Sequence, residues 1–197
     1  MVATLANQGF LVVEGFIDRR LARILYDVLL LRQWRGESKR DDQVPDANSH
    51  WGDSTLDAVL LGLLPDLEMA SGCALLPTYS YARLYLQGHS LPRHRDRAAC
   101  EIAATIHLGH SGEEPPPIRF APDVAVVQQP GDAVIYLGDR IEHWRDPFAG
   151  CNFGQIFLNY VRADGERRGY IHDGRQHAFP PSLQQSRAAE QPRDSTK

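Results

Sequence analysis

The stretch RLYLQGHSLPRHRD at residues 83–96 contains an imidazole and a carboxylate two residues apart, at His94 and Asp96. In an extended segment, residues i and i+2 point to the same face, so these two side chains are presented together. Gly88 and Leu91 precede this pair in the sequence. The stretch therefore predicts two ligands of a metal site, and a third ligand must come from elsewhere in the chain.

His143 is the candidate third ligand. It follows a Pro130-Gly-Asp132 turn and an apolar segment, and in an antiparallel double sheet an early and a late strand can lie side by side. Two histidines and one carboxylate form the facial triad of non-haem Fe(II) oxygenases, which leaves coordination positions open. The chain has eight histidines, so spacing alone also allows three residues that are scattered in space.

The pattern around these residues predicts a mainly β fold with α-helices. Apolar residues at helical spacing predict a helix at 19–33, with Asp18 as its N-cap, and a second helix from 55 to about 71 that Ser54 caps and Gly72 ends. We expect a jelly roll with these two N-terminal helices packed on one sheet. Short β-rich segments punctuated by Gly, Pro and Asp lie at 10–16, 74–87, 101–108, 117–120, 124–128, 132–137, 142–145 and 153–162.

The length of 197 residues fits one domain, which we place at residues 1–172. Its helical part spans 17–72 and its β core 74–165. The polar, turn-rich residues 35–53 are predicted to be a loop, and whether this loop forms a lid is open. Residues 173–197 contain few apolar side chains and are predicted to be a disordered tail.

Composition excludes several classes of protein. The net charge of −4 argues against nucleic-acid binding, and no apolar run reaches the roughly 20 residues of a membrane helix. The three cysteines, Cys73, Cys100 and Cys151, form no CxxC pair, and the first basic residue is Arg19, so neither a disulfide framework nor a secretory signal is predicted. We expect a cytoplasmic protein.

The motifs taken together resemble a known family. Tyr85, Gly88, Leu91, His94-x-Asp96, the Pro130-Gly-Asp132 turn, His143 and Gly150 have the order and spacing of the Fe(II)- and 2-oxoglutarate-dependent dioxygenases of the prolyl-hydroxylase-like group. Residues 77–85, 94–97, 100–102 and 143–145 are similar to a small subgroup, and the resemblance covers roughly residues 10–165. It implies a double-stranded β-helix, an iron held by His94, Asp96 and His143, the co-substrates 2-oxoglutarate and O₂, and release of succinate and CO₂.

The resemblance also indicates which residues bind 2-oxoglutarate. Relatives often use a tyrosine at the position of Tyr85. Many place a basic residue nine or ten positions beyond the distal histidine, where this chain has Asn152 and Phe153. Lysine occurs only at Lys39 and Lys197, so an arginine must replace that residue.

Arg145 is the first choice because it is two residues from His143 and shares its inward face; Arg83, on the face of Tyr85, is the second. The alternative is that Arg145 pairs with Asp146 or Glu142 at a surface turn. Arg97 has two open interpretations as well, a pair with Glu101 or a contact with substrate.

The predicted function is a 2-oxoglutarate-dependent oxygenase that hydroxylates a C–H bond of a small molecule or a peptide side chain. Asp96 favours hydroxylation over halogenation, because halogenating relatives have a small residue in its place. The rival hypothesis is a cupin-like jelly roll that binds metal or ligand without catalysis, and the missing basic residue at 152–153 is its best support.

Overall fold

The computed structural model describes residues 5–37, 39–176 and 178–180, which form two antiparallel β-sheets with a few helices. The first sheet has seven strands in the order β1-β9-β6-β11-β4-β3-β2, and the second has four in the order β5-β10-β7-β8. The strands are Phe10–Val13 (β1), Lys39–Arg40 (β2), Asn48–Trp51 (β3), Leu75–Leu86 (β4), Leu91–His94 (β5), Ile102–Ser111 (β6), Ile118–Phe120 (β7), Val124–Val126 (β8), Ala133–Tyr136 (β9), His143–Arg145 (β10) and Asn152–Arg162 (β11).

The helices largely follow the sequence pattern. The Asp18 carboxylate accepts hydrogen bonds from the backbone N–H groups of Arg20 and Leu21 and so caps the long helix α2. The second predicted helix consists of two helices, because the helix is interrupted at Leu63 and Pro65 lies in the first turn of the next one. The N-cap of the first of these helices is Asp53 instead of Ser54. The helices are Leu5–Gln8 (α1), Arg19–Trp34 (α2), Ser54–Gly62 (α3) and Leu64–Ser71 (α4), with 3₁₀ segments at Ala98–Cys100 and Glu166–Gly174.

Helices α2, α3 and α4 cover the outer face of the seven-stranded sheet. Tyr26 of α2 lies against Gly109 and Gly154, where a Cβ atom would come within 2.9 and 3.0 Å of its ring. Two neighbouring strands therefore need glycine for the helix to approach. No described helix has the length and apolar character needed to cross a membrane.

The polar segment 35–53 differs from the predicted loop. Its strands β2 and β3 extend the large sheet, with Ser49 of β3 opposite Arg83 of β4. Val44 and Ala47, between these strands, are buried in a cluster that includes Tyr85 and Leu91. Pairing with an existing sheet edge decides the structure here, which local polarity does not report.

The described residues just beyond the predicted boundary at 172 pack against the body of the fold. Asp173 pairs with Arg97, Arg175 pairs with Asp57, and Phe179 is buried in the core under the helices. Single apolar and charged side chains of this segment therefore have partners on the folded body. Residues 177 and 181–197 of the predicted tail lie outside the described residues.

Between the sheets, alternate residues of each strand point inward. Part of this space is an apolar core in which Ala103, Val134 and Tyr136 of the large sheet meet Ile118 and Phe120 of the small one. The remaining inward positions are polar or aromatic. They are Tyr79, Tyr81, Arg83 and Tyr85 of β4, Thr105 and His107 of β6, His143 and Arg145 of β10, and Phe153, Gln155, Phe157 and Asn159 of β11.

Candidate metal centre

The three predicted ligands lie together at one end of the space between the sheets. Strands β5 and β10 pair so that His143 is directly opposite His94, and Asp96 follows β5 by two residues. Asp96 Oδ1 lies 3.3 Å from His94 Nε2 and 3.7 Å from His143 Nε2. One ligand atom from each of the three residues lies within 4.8 Å of the other two, as a shared cation would require.

Backbone carbonyls orient both imidazoles. His94 Nδ1 lies 2.8 Å from the Pro92 oxygen, and His143 Nδ1 lies 3.2 Å from the Ile141 oxygen. An Nδ1–H that donates to a carbonyl leaves the Nε2 lone pair free, which is the arrangement found in metal-ligating histidines. Both Nε2 atoms face a carboxylate oxygen, so a cation between them would remove the repulsion of these lone pairs. The donor set therefore fits a divalent metal.

Electrostatics differ between the two histidines. Burial lowers the pKa of His143, which is 3% exposed in its side chain. Burial also acts to lower the pKa of His94, but hydrogen bonds with Asp96 and the Pro92 carbonyl outweigh it and raise that pKa overall. The rings of Tyr136 and Phe120 pack 4.8 and 6.0 Å from the His143 ring and fix its position.

Gly138 leaves the space that the Asp96 carboxylate needs beside the two histidines. The Asp96 N–H donates to the Gly138 oxygen over 2.8 Å. A Cβ atom on Gly138 would lie 2.6 Å from both Asp96 Oδ2 and the Cys100 oxygen, which no real contact permits. Gly138 thus positions a ligand by close backbone approach.

The triad opens into a cavity of about 590 Å³. Aromatic side chains of the large sheet form much of its wall, and the segment 39–49 closes one side. Arg95 also lines the cavity, although strand alternation predicts that it faces away. The lining residues are Lys39, Asp41, Asp42, Gln43, Ser49, Trp51, Tyr79, Tyr81, Arg83, Leu91, His94, Arg95, Asp96, Arg97, Cys100, Tyr136, His143, Phe157 and Asn159.

Arg145 lies two residues, roughly 7 Å along the strand, beyond His143 on β10, and it is buried behind the residues that line the cavity. Its Nη1 donates to the Pro116 oxygen over 2.8 Å and its Nη2 to Gln128 Oε1 over 2.7 Å, while its buried Nε has no partner among the described residues. Within that same set no carboxylate pairs with it, and burial lowers its pKa to about 10. Arg145 is thus a buried cation with no anionic partner in the described part of the chain.

The alternative of a surface ion pair for Arg145 does not occur in the structure. Glu142 accepts a hydrogen bond from Arg93, and Asp146 accepts one from Arg119. Arg145 itself is 4% exposed. Its guanidinium carbon lies 5.8 Å from the ring of Phe153.

Arg83 and Tyr85 form a different kind of cluster. Arg83 Nη2 donates to Asp41 Oδ1 over 3.1 Å, its Nε donates to the other Asp41 oxygen, and its Nη1 donates to the Tyr85 hydroxyl over 2.9 Å. The Tyr85 ring stacks on Phe153 with centroids 4.3 Å apart. Arg83 therefore already has a carboxylate partner, and it orients Tyr85.

Several residues of this interior escape sequence reasoning. Asp41 lies in a segment predicted to be a loop, and Gln128 and Gly138 belong to no motif. His107 of β6 is buried; its Nδ1 lies 2.9 Å from the Gln128 backbone oxygen, and burial lowers its pKa to about 4. These residues become visible only when strands distant in sequence are brought together.

Comparison with known proteins gives a clear result for the fold. No family model matches the chain, and no curated protein matches it. Solved structures do match. A prolyl-4-hydroxylase from Pseudomonas putida superimposes with a TM-score of 0.66 and 21% identity over 80% of this chain and 95% of its own.

Two further structures extend this likeness. A prolyl hydroxylase from Trichoplax adhaerens, in complex with a hypoxia-inducible-factor peptide, has a TM-score of 0.65 and 15% identity over 84% of this chain and 88% of its own. The non-haem, α-ketoglutarate-dependent epimerase SnoN of nogalamycin biosynthesis has a TM-score of 0.67 and 15% identity over 81% of this chain and 80% of its own. At these identities the likeness establishes a shared fold.

Proposed function

We propose that this protein is an Fe(II)- and 2-oxoglutarate-dependent oxygenase that hydroxylates a C–H bond of a small molecule or of a peptide side chain. The observation that carries the proposal is the convergence of two Nε2 atoms and a carboxylate in the wall of a cavity, with a buried arginine that has no acidic partner among the described residues two positions along the strand from His143. The shared fold with 2-oxoglutarate-dependent enzymes supports it. We also propose that the two sheets form a double-stranded β-helix within a single domain.

His94, Asp96 and His143 would hold the iron. Imidazole nitrogens and a carboxylate oxygen suit Fe(II), and three ligands on one side leave positions open for co-substrates. When bound, iron with 2-oxoglutarate and O₂ supplies the oxidation, which releases succinate and CO₂ and hydroxylates the substrate. Asp96 occupies the position that halogenating relatives leave without a carboxylate, which supports hydroxylation.

Arg145 is our choice for the distal carboxylate of 2-oxoglutarate. A guanidinium binds a carboxylate through charge-assisted hydrogen bonds, and the unpaired Nε of Arg145 offers one such donor. Tyr85 accepts from Arg83, so its own O–H can donate to the same ligand. Arg83, with Asp41 already bound, positions Tyr85 and is not the anion partner in this proposal.

The other residues of the pocket orient the metal ligand His143 and limit the access of water. Tyr136, Phe120 and the β10 backbone hold the His143 ring, and the Phe153–Tyr85 stack forms an apolar wall beside Arg145. Such a wall limits water near the reacting atoms and strengthens the electrostatic contacts within. Segment 39–49 closes one side of the cavity, and strand pairing and the Arg83–Asp41 pair hold it there.

Succinate formation from 2-oxoglutarate tests the proposal without knowledge of the substrate. The protein is loaded anaerobically with Fe(II) and then exposed to O₂. We expect slow, iron-dependent succinate formation that His94→Ala abolishes and that the control variant His89→Gln, outside the triad, retains. If wild-type protein binds 2-oxoglutarate but forms no succinate above the His94→Ala background, the binding-module hypothesis replaces this one.

A further inference from the structure

Arg97 places a second guanidinium beside the candidate metal centre. It directly follows Asp96, and its guanidinium carbon lies 4.4 Å from the centroid of the Tyr79 ring. The Tyr79 hydroxyl is 3.0 Å from Cys100 Sγ, and both residues line the cavity that contains the triad. The guanidinium and the metal centre therefore border one space.

A carboxylate of the same chain occupies this guanidinium. Arg97 Nη1 and Nη2 donate to Asp173 Oδ1 and Oδ2, each over 2.6 Å. This is the two-pronged geometry in which arginine recognises carboxylates. The Arg97 side chain is 50% exposed, whereas that of Asp173 is 10% exposed. Glu101, the partner considered from sequence, instead accepts from the Arg162 N–H.

The backbone that carries Asp173 is unfavourable. His172 has φ 57° and Asp173 has φ 53°, and Gly174 follows with φ 70°. Left-handed conformations cost energy for residues with a side chain, so two in succession need compensating contacts. The His172 ring contacts Phe179 with centroids 4.9 Å apart, and the Arg175 N–H donates to the His172 oxygen over 3.0 Å. Release of Asp173 from Arg97 would let this turn relax.

The neighbouring aromatic rings already contact guanidinium groups of the chain. Arg83 lies 5.4 Å from the Tyr81 ring and 5.6 Å from the Phe157 ring, and Arg175 lies 5.1 Å from the Trp51 ring. A ring face attracts a cation, and here guanidinium groups of the chain occupy such positions. The remaining apolar surfaces of these rings suit the uncharged part of a ligand, and the arginines suit an anionic group at its end.

We propose that Arg97 binds the carboxylate of an acidic small-molecule substrate, and that Asp173 occupies this position until the substrate displaces it. The inference rests on the proposed oxygenase function and assigns the substrate class of that site: a carboxylic acid with an apolar or aromatic body. Asp173 is then an internal competitor, and its removal should strengthen substrate binding, whereas removal of a merely structural partner should weaken it.

Opposite effects of the two partners provide the test. Protein loaded anaerobically with Fe(II) and saturating 2-oxoglutarate is titrated calorimetrically with 3-phenylpropanoate and with its uncharged amide. We expect Asp173→Asn to tighten 3-phenylpropanoate binding about tenfold, because the competent state becomes the major one. We expect Arg97→Gln to weaken it about tenfold or more, through loss of a charge-assisted pair. The amide should bind weakly to all forms.

Arg167→Gln is the matched control, because Arg167 ties the same 3₁₀ segment to Asp139 without touching Arg97. It should leave the affinity for 3-phenylpropanoate unchanged, which separates competition from general loosening. The proposal is overturned if Asp173→Asn weakens binding or leaves it unchanged, if Arg97→Gln has no effect, if acid and amide bind alike, or if the acid does not bind.

Failure of this proposal and failure of the oxygenase proposal are distinguishable. The titration needs no turnover. Even if the wild-type protein forms no succinate, Asp173→Asn and Arg97→Gln can still change its affinity for 3-phenylpropanoate in opposite directions. Conversely, iron-dependent succinate formation with no preference for the acid over the amide would leave the oxygenase function standing and remove the carboxylate subsite.

Discussion

Two buried arginines in this interior have opposite surroundings. Arg83 binds the carboxylate of Asp41, and although burial acts to lower the pKa of its guanidinium, Tyr85 and Asp41 raise it overall. Arg145 has two neutral oxygen partners and no acid among the described residues, and burial lowers its pKa to about 10. One cation is compensated by a carboxylate of the chain, and the other has no such partner among the described residues.

The difference separates a structural arginine from a binding arginine. A buried charge is tolerated when paired, and it is costly when alone. The pair of Arg83 and Asp41 attaches segment 39–49 to β4, whereas in our proposal Arg145 lowers the stability of the protein without ligand and recovers that cost when a carboxylate binds. Matched substitutions at the two positions can test this distinction.

Stability should respond most strongly at Arg83. Arg83→Met leaves Asp41 buried without its cation, so we expect a loss of about 3–5 kcal/mol in the free energy of unfolding. Arg145→Met removes an uncompensated cation, and we expect a change below about 1.5 kcal/mol, comparable to a typical hydrogen bond. Urea unfolding of the metal-free proteins measures both values.

The double variant Arg83→Met, Asp41→Leu serves as the control. Because both charges are removed, it should recover most of the stability lost in Arg83→Met. Equal losses in Arg83→Met and Arg145→Met would contradict the distinction between the two arginines.

Binding of 2-oxoglutarate should respond most strongly at Arg145. We expect Arg145→Met to weaken the affinity of the metal-loaded protein for 2-oxoglutarate about a hundredfold, since charge-assisted hydrogen bonds are lost. Arg119→Met, on the neighbouring strand β7 and paired with Asp146, is the control and should bind normally. Isothermal titration decides, and normal binding by Arg145→Met would remove this residue from the site.

Gly138 allows the metal centre to be perturbed without either arginine. A Cβ atom would collide with Asp96 Oδ2, so Gly138→Ala should displace the ligand and weaken metal affinity about tenfold. Competition with a metal-sensitive dye measures this. Gly169→Ala is the control, because a Cβ atom there meets nothing within 4 Å. Unchanged metal affinity in Gly138→Ala would show that Asp96 is not held as described.

The smallest expected effect is a pH dependence of the Arg83 pair. Burial acts to raise the pKa of Asp41, but hydrogen bonds from Arg83 and Tyr81 outweigh it and lower that pKa below 3.8. A depressed folded-state pKa gives stability that is present above the unfolded pKa and lost as pH falls below about 4. Asp41→Asn should flatten this acid limb in urea unfolding at pH 2–5. An unchanged slope would mean that other carboxylates cause it.

Much of the fold and of the triad can be predicted from the sequence. Helix α2 with its Asp18 cap, Gly72 at the end of α4, and the strand that contains His143 depend on local periodicity and turn chemistry. The metal ligands were predicted from a short motif and a resemblance. The break at Leu63 and the strands β2 and β3 were not, because local pattern does not report which sheet edge will accept a polar segment.

The sequence by itself indicated which residues can bind a metal, and with only two lysines it made arginine the expected partner for an anion. Only the tertiary structure shows that Asp41 pairs with Arg83 across 42 positions, whereas no acid among the described residues pairs with Arg145. It also decided that Asp173 reaches Arg97 across 76 positions. Charge compensation depends on distances between groups far apart in the chain, and chain folding alone sets those distances.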